Sequence, residues 1–133
     1  MTDRESNPTT VIATERAPAA IGPYSQGLVA GNFLFTAGQI PLDPISMDVD
    51  GTDIETQTER VMQNLDAVLQ AAGSSLSRVI KTTCYLVELE DFQAFNTIYG
   101  RWFGDHKPAR STVQVSKLPR GVLVEVDCVA VVS

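Results

Sequence analysis

Three side chains in this sequence have the type and setting to do chemistry. Arg110 follows a proline-fixed turn in Pro108-Ala109-Arg110-Ser111, which puts a guanidinium at the entrance to a strand. A planar fork placed there can grip a carboxylate, or it can be solvated or salt-bridged. Glu125 interrupts the valine-rich run Val122-Leu123-Val124-Glu125-Val126. A carboxylate in such a strand is either ion-paired or desolvated, and desolvation raises its pKa toward values useful in proton transfer. Asp127 lies two residues on and shares that face, so it can take either role.

Weaker candidates lie near glycines and aromatics. Tyr24 sits in the glycine- and proline-bounded loop Ile21-Gly22-Pro23-Tyr24-Ser25-Gln26, where it can line a pocket or pack the loop. Gly38, in Thr36-Ala37-Gly38-Gln39, can bring its backbone N–H close to a ligand or mark a bulge. Asn96 lies beside an aromatic stripe and either hydrogen-bonds into a site or faces solvent. His106 is the one histidine, which excludes His-based zinc sites and leaves a Ser-His-Asp or Cys-His triad without support. No metal site is expected. Cys84 and Cys128 lack metal-ligand spacing and read as buried strand thiols.

Composition narrows the function classes. With 133 residues the chain makes one domain, and 44% hydrophobic against 20% charged residues is a globular balance. Ten Lys and Arg against sixteen Asp and Glu give a net charge of -6. That balance opposes binding to a phosphate backbone, so nucleic acid is not an expected partner. No run approaches the ~20 apolar residues of a membrane span, and the polar start has no apolar export core, so a cytoplasmic location is expected and no membrane contact.

Residues 1–10 are expected to form a disordered segment and residues 11–133 the domain. Gly31-Asn32 joins two strands in a tight hairpin over 27–30 and 33–37. Thr52 with Glu55 has capping-box spacing, and Val61, Leu65, Val68, Leu69 and Ala72 predict a helix over 53–72 that stops at Gly73. A β-branched run predicts a strand over 79–89. Asp91 is placed to cap a second helix carrying Phe92, Phe95, Tyr99, Trp102 and Phe103 and ending near Gly104. Strands over 111–116 and 122–132 flank the turn Leu118-Pro119-Arg120-Gly121.

The order β-β-α-β-α-β-β predicts an α+β domain, one sheet with two helices packed on one face. In the last strand the even positions 122 to 132 are apolar and meet the helices. The odd face mixes Leu123, Val129 and Val131 with Glu125 and Asp127 and has no helix to cover it. A half-apolar face left bare predicts a homo-oligomer.

Several segments together carry a specific resemblance. They are 17–26 (Ala-Pro-Ala-Ala-Ile-Gly-Pro-Tyr-Ser-Gln), 35–41 (Phe-Thr-Ala-Gly-Gln-Ile-Pro), Asn64-Leu65 with Ala71-Ala72-Gly73, 79–83 (Val-Ile-Lys-Thr-Thr), and Pro108-Ala109-Arg110-Ser111 followed by Val124-Glu125-Val126. In order and spacing, over residues 12–132, they resemble the reactive intermediate deaminase family, RidA branch, also called the YjgF family. The resemblance implies a chorismate-mutase-like subunit, a homotrimer with its sheets lining a central barrel, and pockets between subunits. It implies hydrolysis of 2-imino acids such as 2-iminopropanoate and 2-iminobutanoate, formed from enamines such as 2-aminoacrylate, to 2-oxo acids and ammonia, with no cofactor. Arg110 would hold the substrate carboxylate, Tyr24 and Asn96 would line the pocket, and backbone groups of Gly38 and Thr112 would position substrate or water. Glu125 would orient or activate that water.

The sequence departs from the family pattern at Ala37, where many members carry serine, and in a short loop Gly104-Asp105-His106-Lys107. An imine carbon is already electrophilic, so anchoring and a positioned water suffice without Cys, His or metal. The alternative is a non-catalytic ligand-binding, chaperone-like or regulatory protein of the same fold. An endoribonuclease or translation inhibitor, also a label of this family, is opposed by the acidic balance.

Overall fold

The computed structural model describes residues 9–132. Six strands form one mixed sheet: β1 (Thr9–Ile12), β2 (Gly27–Ala30), β3 (Phe33–Thr36), β4 (Val79–Leu86), β5 (Ala109–Gln114) and β6 (Val124–Val131). Their spatial order is β1-β2-β3-β6-β4-β5. All neighbours run antiparallel except β4 and β5, which are parallel. Parallel neighbours need a crossover, and α2 (Phe92–Phe103) supplies it. The other long helix, α1 (Ile54–Ala71), joins β3 to β4. The α+β sandwich with both helices on one face is therefore the observed architecture, and among the described residues no helix is long and apolar enough to cross a membrane.

Alternation in β6 decides the layering. Val124, Val126, Cys128 and Ala130 are buried, while Glu125, Asp127, Val129 and Val131 are half-buried. The buried set joins Val61, Leu65, Leu69, Phe95, Tyr99 and Phe103 of the helices in one core. Both thiols belong to that core, and burial pushes the Cys84 thiol up to about 11 and Cys128 up to about 12. The opposite face keeps Leu28, Phe33, Phe35 and Val113 exposed.

Several boundaries differ from the sequence expectation. β1 was not expected: the pattern of Thr9-Thr10-Val11-Ile12 is β-branched, and these residues pair with Gly27–Ala30. The expected disordered segment over 1–10 lies outside the described residues for 1–8, whereas Thr9 and Thr10 are already strand. Helix α1 is capped by Asp53, whose side chain accepts from the Thr56 N–H at 2.6 Å, rather than by Thr52. Asp91 makes no side-chain cap, because a 3-10 turn over Leu89–Asp91 leads straight into α2 and also ends β4 at Leu86. The strands near Arg110 and Glu125 are β5 from Ala109 and β6 from Val124, with β4 between them.

Polar side chains of α1 hold the long loop before it. Asn64 donates to the carbonyls of Ile40 and Leu42 (3.2 and 3.0 Å), and Gln57 donates to Gly51 and accepts from the Leu123 N–H. Arg60 bridges Asp50 at 3.1 Å and Asp43 at 3.8 Å. Positions 57, 60 and 64 share one helix face, so a single face fixes the loop that follows Gly38.

Phe95, in the aromatic stripe of α2, is fully buried in the core and its ring packs against that of Tyr99. Phe95→Ala should cost about 3–5 kcal/mol. Urea unfolding should show a lower midpoint with an unchanged slope; an unchanged midpoint would remove α2 from the core.

Candidate functional site

The candidate residues fall into two groups on opposite faces of the sheet. Register makes the separation. Arg110 pairs with Thr82, and Thr112 with Cys84, across the parallel ladder. Thr82 and Cys84 pair with Cys128 and Val126 on the core face of β6, so Arg110 and Thr112 point to the helix side. Glu125 pairs with Tyr85 on the bare side. Within one protomer the guanidinium and the carboxylate cannot meet across a packed sheet.

Arg110 is held by α2. Its Nη1 donates to Asn96 Oδ1 at 2.7 Å, and its guanidinium carbon lies 4.9 Å from the Tyr99 ring centre and 5.4 Å from that of Phe92. Cation–π contact of this kind contributes about 0.5–2 kcal/mol and fixes the plane of the fork. Tyr99 is itself pinned by a 2.7 Å hydrogen bond between its hydroxyl and that of Thr82. Among the described residues no carboxylate bridges Arg110, so its remaining N–H groups are free for an anion. Cavities open on both sides of it, one lined by Asn96, His106 and Lys107, the other by Leu89, Phe92 and Thr112. The Thr112 Oγ1 is buried there with no hydrogen-bond partner among the described residues.

The second group lies in a cavity of about 520 Å³ lined by Tyr24, Ala37, Gly38, Gln39, Arg120 and Glu125, with apolar walls from Ile40 and Leu42. Gly38 is required here: a Cβ on it would overlap the Glu125 carboxylate. Burial first, and the charge of Asp127 second, raise the Glu125 pKa above the ordinary carboxylate value. No cation bridges Glu125 among the described residues.

Gln26, fully enclosed behind Tyr24, accepts from the Thr14 N–H at 2.6 Å and donates to the carbonyls of Thr14, Ala17 and Pro18. That amide shapes the arch over the cavity. Ala37 lines the same cavity with a methyl group where a hydroxyl would add a donor.

The structure thus brings Tyr24, Gly38 and Glu125 together, and Asn96, Arg110 and Thr112 together, but not the two sets. Sequence reading missed the platform under Arg110, because Phe92 and Tyr99 have the spacing of core residues and serve as that too. It also missed the buried anchors Gln26, Gln57 and Asn64. Their signal was the placing of amides beside the glycine- and proline-rich loops whose carbonyls they satisfy.

Gly38→Ala tests the cavity geometry. The added methyl must push the flexible Glu125 side chain away, so the variant should fold with near-normal stability while a crystal structure shows Glu125 displaced. An unmoved carboxylate would contradict the close packing described here.

Comparison with known proteins agrees with this architecture. The family profile described as Endoribonuclease L-PSP matches residues 14–132. A RutC family protein of Pyrococcus horikoshii is 52% identical over 120 residues, covering 90% of this chain and 95% of that one. Reactive Intermediate Deaminase A, chloroplastic, of Arabidopsis thaliana is 43% identical over 120 residues, 90% of this chain and 64% of that protein. Among solved structures, a conserved Rid family protein of Yersinia pestis superposes with a TM-score of 0.92 at 44% identity, covering 94% of this chain and all of that one (100%). E. coli TdcF with bound serine superposes with a TM-score of 0.89 at 40% identity over 92% of this chain and 98% of that one. With the family profile spanning nearly every described residue, the chain belongs to the Endoribonuclease L-PSP family, the group of the RidA and YjgF proteins.

Proposed function

We propose that the protein hydrolyses small 2-imino acids to 2-oxo acids and ammonia in the cytoplasm, at sites formed where copies of the chain meet, in a homotrimer. The observation that carries this reading is the division of the site. One half offers a pre-oriented guanidinium with free donors, the other a carboxylate of raised proton affinity in a mostly apolar cavity. Neither half suffices for chemistry alone, and the exposed apolar face supplies a reason for copies to associate.

In the joined site Arg110 holds the substrate carboxylate in a bidentate pair, and Asn96 and the two rings keep the fork from turning. The imine carbon then lies before Glu125. Glu125 takes a proton from water as its oxygen adds to the C=N carbon and returns it to nitrogen, giving a neutral carbinolamine; the same carboxylate then takes the hydroxyl proton as the C=O bond forms and passes it to nitrogen as the C–N bond breaks, so that ammonia leaves with the 2-oxo acid. One water is consumed and no electrons change hands. Tyr24 lines the cavity, and Gly38 and Thr112 border the space where substrate and water sit.

Two relatives support the substrate class, one named a reactive intermediate deaminase and one solved with serine, which carries the carboxylate and nitrogen that such a site must grip. The serine favours a second reading equally, a ligand-binding protein without turnover. The family profile carries an endoribonuclease name, but a net charge of -6 disfavours a phosphate backbone here.

Freshly generated 2-iminopropanoate or 2-iminobutanoate should release ammonia and 2-oxo acid faster with this protein than without it; equal rates leave the binding reading. Arg110→Lys should lose roughly 10- to 100-fold in kcat/KM, since an ammonium cannot make two parallel bonds to a carboxylate. Glu125→Gln should fall about 100-fold while still binding a 2-oxo acid by calorimetry. Light scattering should report a trimer at micromolar concentration; a stable monomer would contradict the shared site.

A further inference from the structure

The bare face of the sheet gathers its titratable groups in one cluster: Lys81 and Tyr85 of β4 with Glu125 and Asp127 of β6, Thr83 lying opposite Asp127. Glu125 and Asp127 lie two positions apart on one face, about 6–7 Å along the strand. Tyr85 pairs directly with Glu125, and its hydroxyl reaches diagonally to donate to Asp127 Oδ2 at 3.1 Å. Asp127 is half-buried, and no salt bridge neutralises it among the described residues. Two carboxylates this close, partly out of water, repel one another and make the first proton easier to take up. A face meant purely for association has no use for that cost, since apolar residues would bury better.

We propose that Asp127, held in place by Tyr85, is a positioning residue that keeps Glu125 ready to accept a proton during turnover. The inference rests on the deaminase reading above and goes beyond it. The titratable groups around Glu125 are Asp127 on its own strand, Tyr85 on β4, and Tyr24 and Arg120 at the cavity wall, with Lys81 further along β4 opposite Val129; both helices lie beyond the sheet and contribute none. Lys81 acts mainly on Asp127, where its charge and the Tyr85 hydrogen bond oppose the effect of burial. Burial still leaves the Asp127 pKa raised above its ordinary value, and the charge of Asp127, where it is ionised, raises that of Glu125 beside it.

The sign follows. Glu125 works as its anion, so activity falls as pH drops through its raised pKa. Removing the Asp127 charge lowers that pKa, and activity should then persist to lower pH.

The experiment is the pH profile of kcat/KM for the full-length protein and for Asp127→Asn, Asp127→Glu, Tyr85→Phe and Glu125→Gln, with oligomeric state checked by light scattering. A carboxyl-carbon NMR titration of Glu125 in the same variants reads its proton uptake without turnover. The acid limb and the NMR midpoint should move to lower pH in Asp127→Asn, by less in Tyr85→Phe, and return to the wild-type position in Asp127→Glu. Unmoved midpoints in Asp127→Asn, with Glu125→Gln inactive, would overturn this inference and leave the deaminase reading standing. Should Asp127→Asn fail to assemble, an unmoved midpoint in Tyr85→Phe overturns it instead. Wild-type turnover by Glu125→Gln would overturn the role of Glu125 and this inference together.

Discussion

Side chains alternate across a strand, and in β6 that alternation decides nearly everything else. Its even residues, from Val124 to Ala130, are committed to the helices. The odd residues, Glu125 and Asp127 among them, are left on the face that neither helix covers. Slipping the register by one residue would bury two carboxylates in the core and expose four apolar side chains, so the pairing with β3 and β4 is strongly specified. Because β4 lies between β5 and β6 with the same alternation, Arg110 is forced onto the side opposite Glu125. The divided site is thus a consequence of core packing, and a second copy of the chain is the simplest way to bring the halves together.

Each half is held by residues that do no chemistry. Arg110 is oriented by Asn96 and by rings whose other edges lie in the core, so the fork inherits the rigidity of α2. The cavity around Glu125 depends on amides: Gln26 over the arch, and Gln57 and Asn64 under the loop. A buried carbonyl without its partner costs about 1–3 kcal/mol, which explains why side chains as polar as these sit inside. Gly38 completes the half by leaving out the one atom that would displace Glu125.

Much of this was legible in the sequence, because periodicity reports burial. The valine alternation of β6, the aromatic stripe of α2 and the Gly31-Asn32 hairpin all stood where they were read. Features set by distant partners were not legible. β1 is four residues whose strand character depends on pairing with β2. The parallel pairing of β5 with β4, rather than with β6 across the Pro119 turn, is a choice of topology that local pattern does not carry. The cap of α1 moved by one residue because Thr52 and Asp53 are both good caps and the carboxylate of Asp53 reaches the Thr56 N–H. Candidate residues could be named one by one, but their division between two faces needed the register of three strands.

Subunit complementation tests the central claim most directly. Arg110→Lys and Glu125→Gln each damage one half, and denaturing and refolding them together mixes the two kinds of subunit. If Arg110 of one copy works with Glu125 of another, random mixing should restore roughly a quarter of the sites to two intact halves, and imine turnover should rise well above that of either variant alone. If each protomer carries its own complete site, every site in the mixture still lacks one group. Activity at the level of the separate variants, in a mixture shown to exchange subunits, would contradict the account.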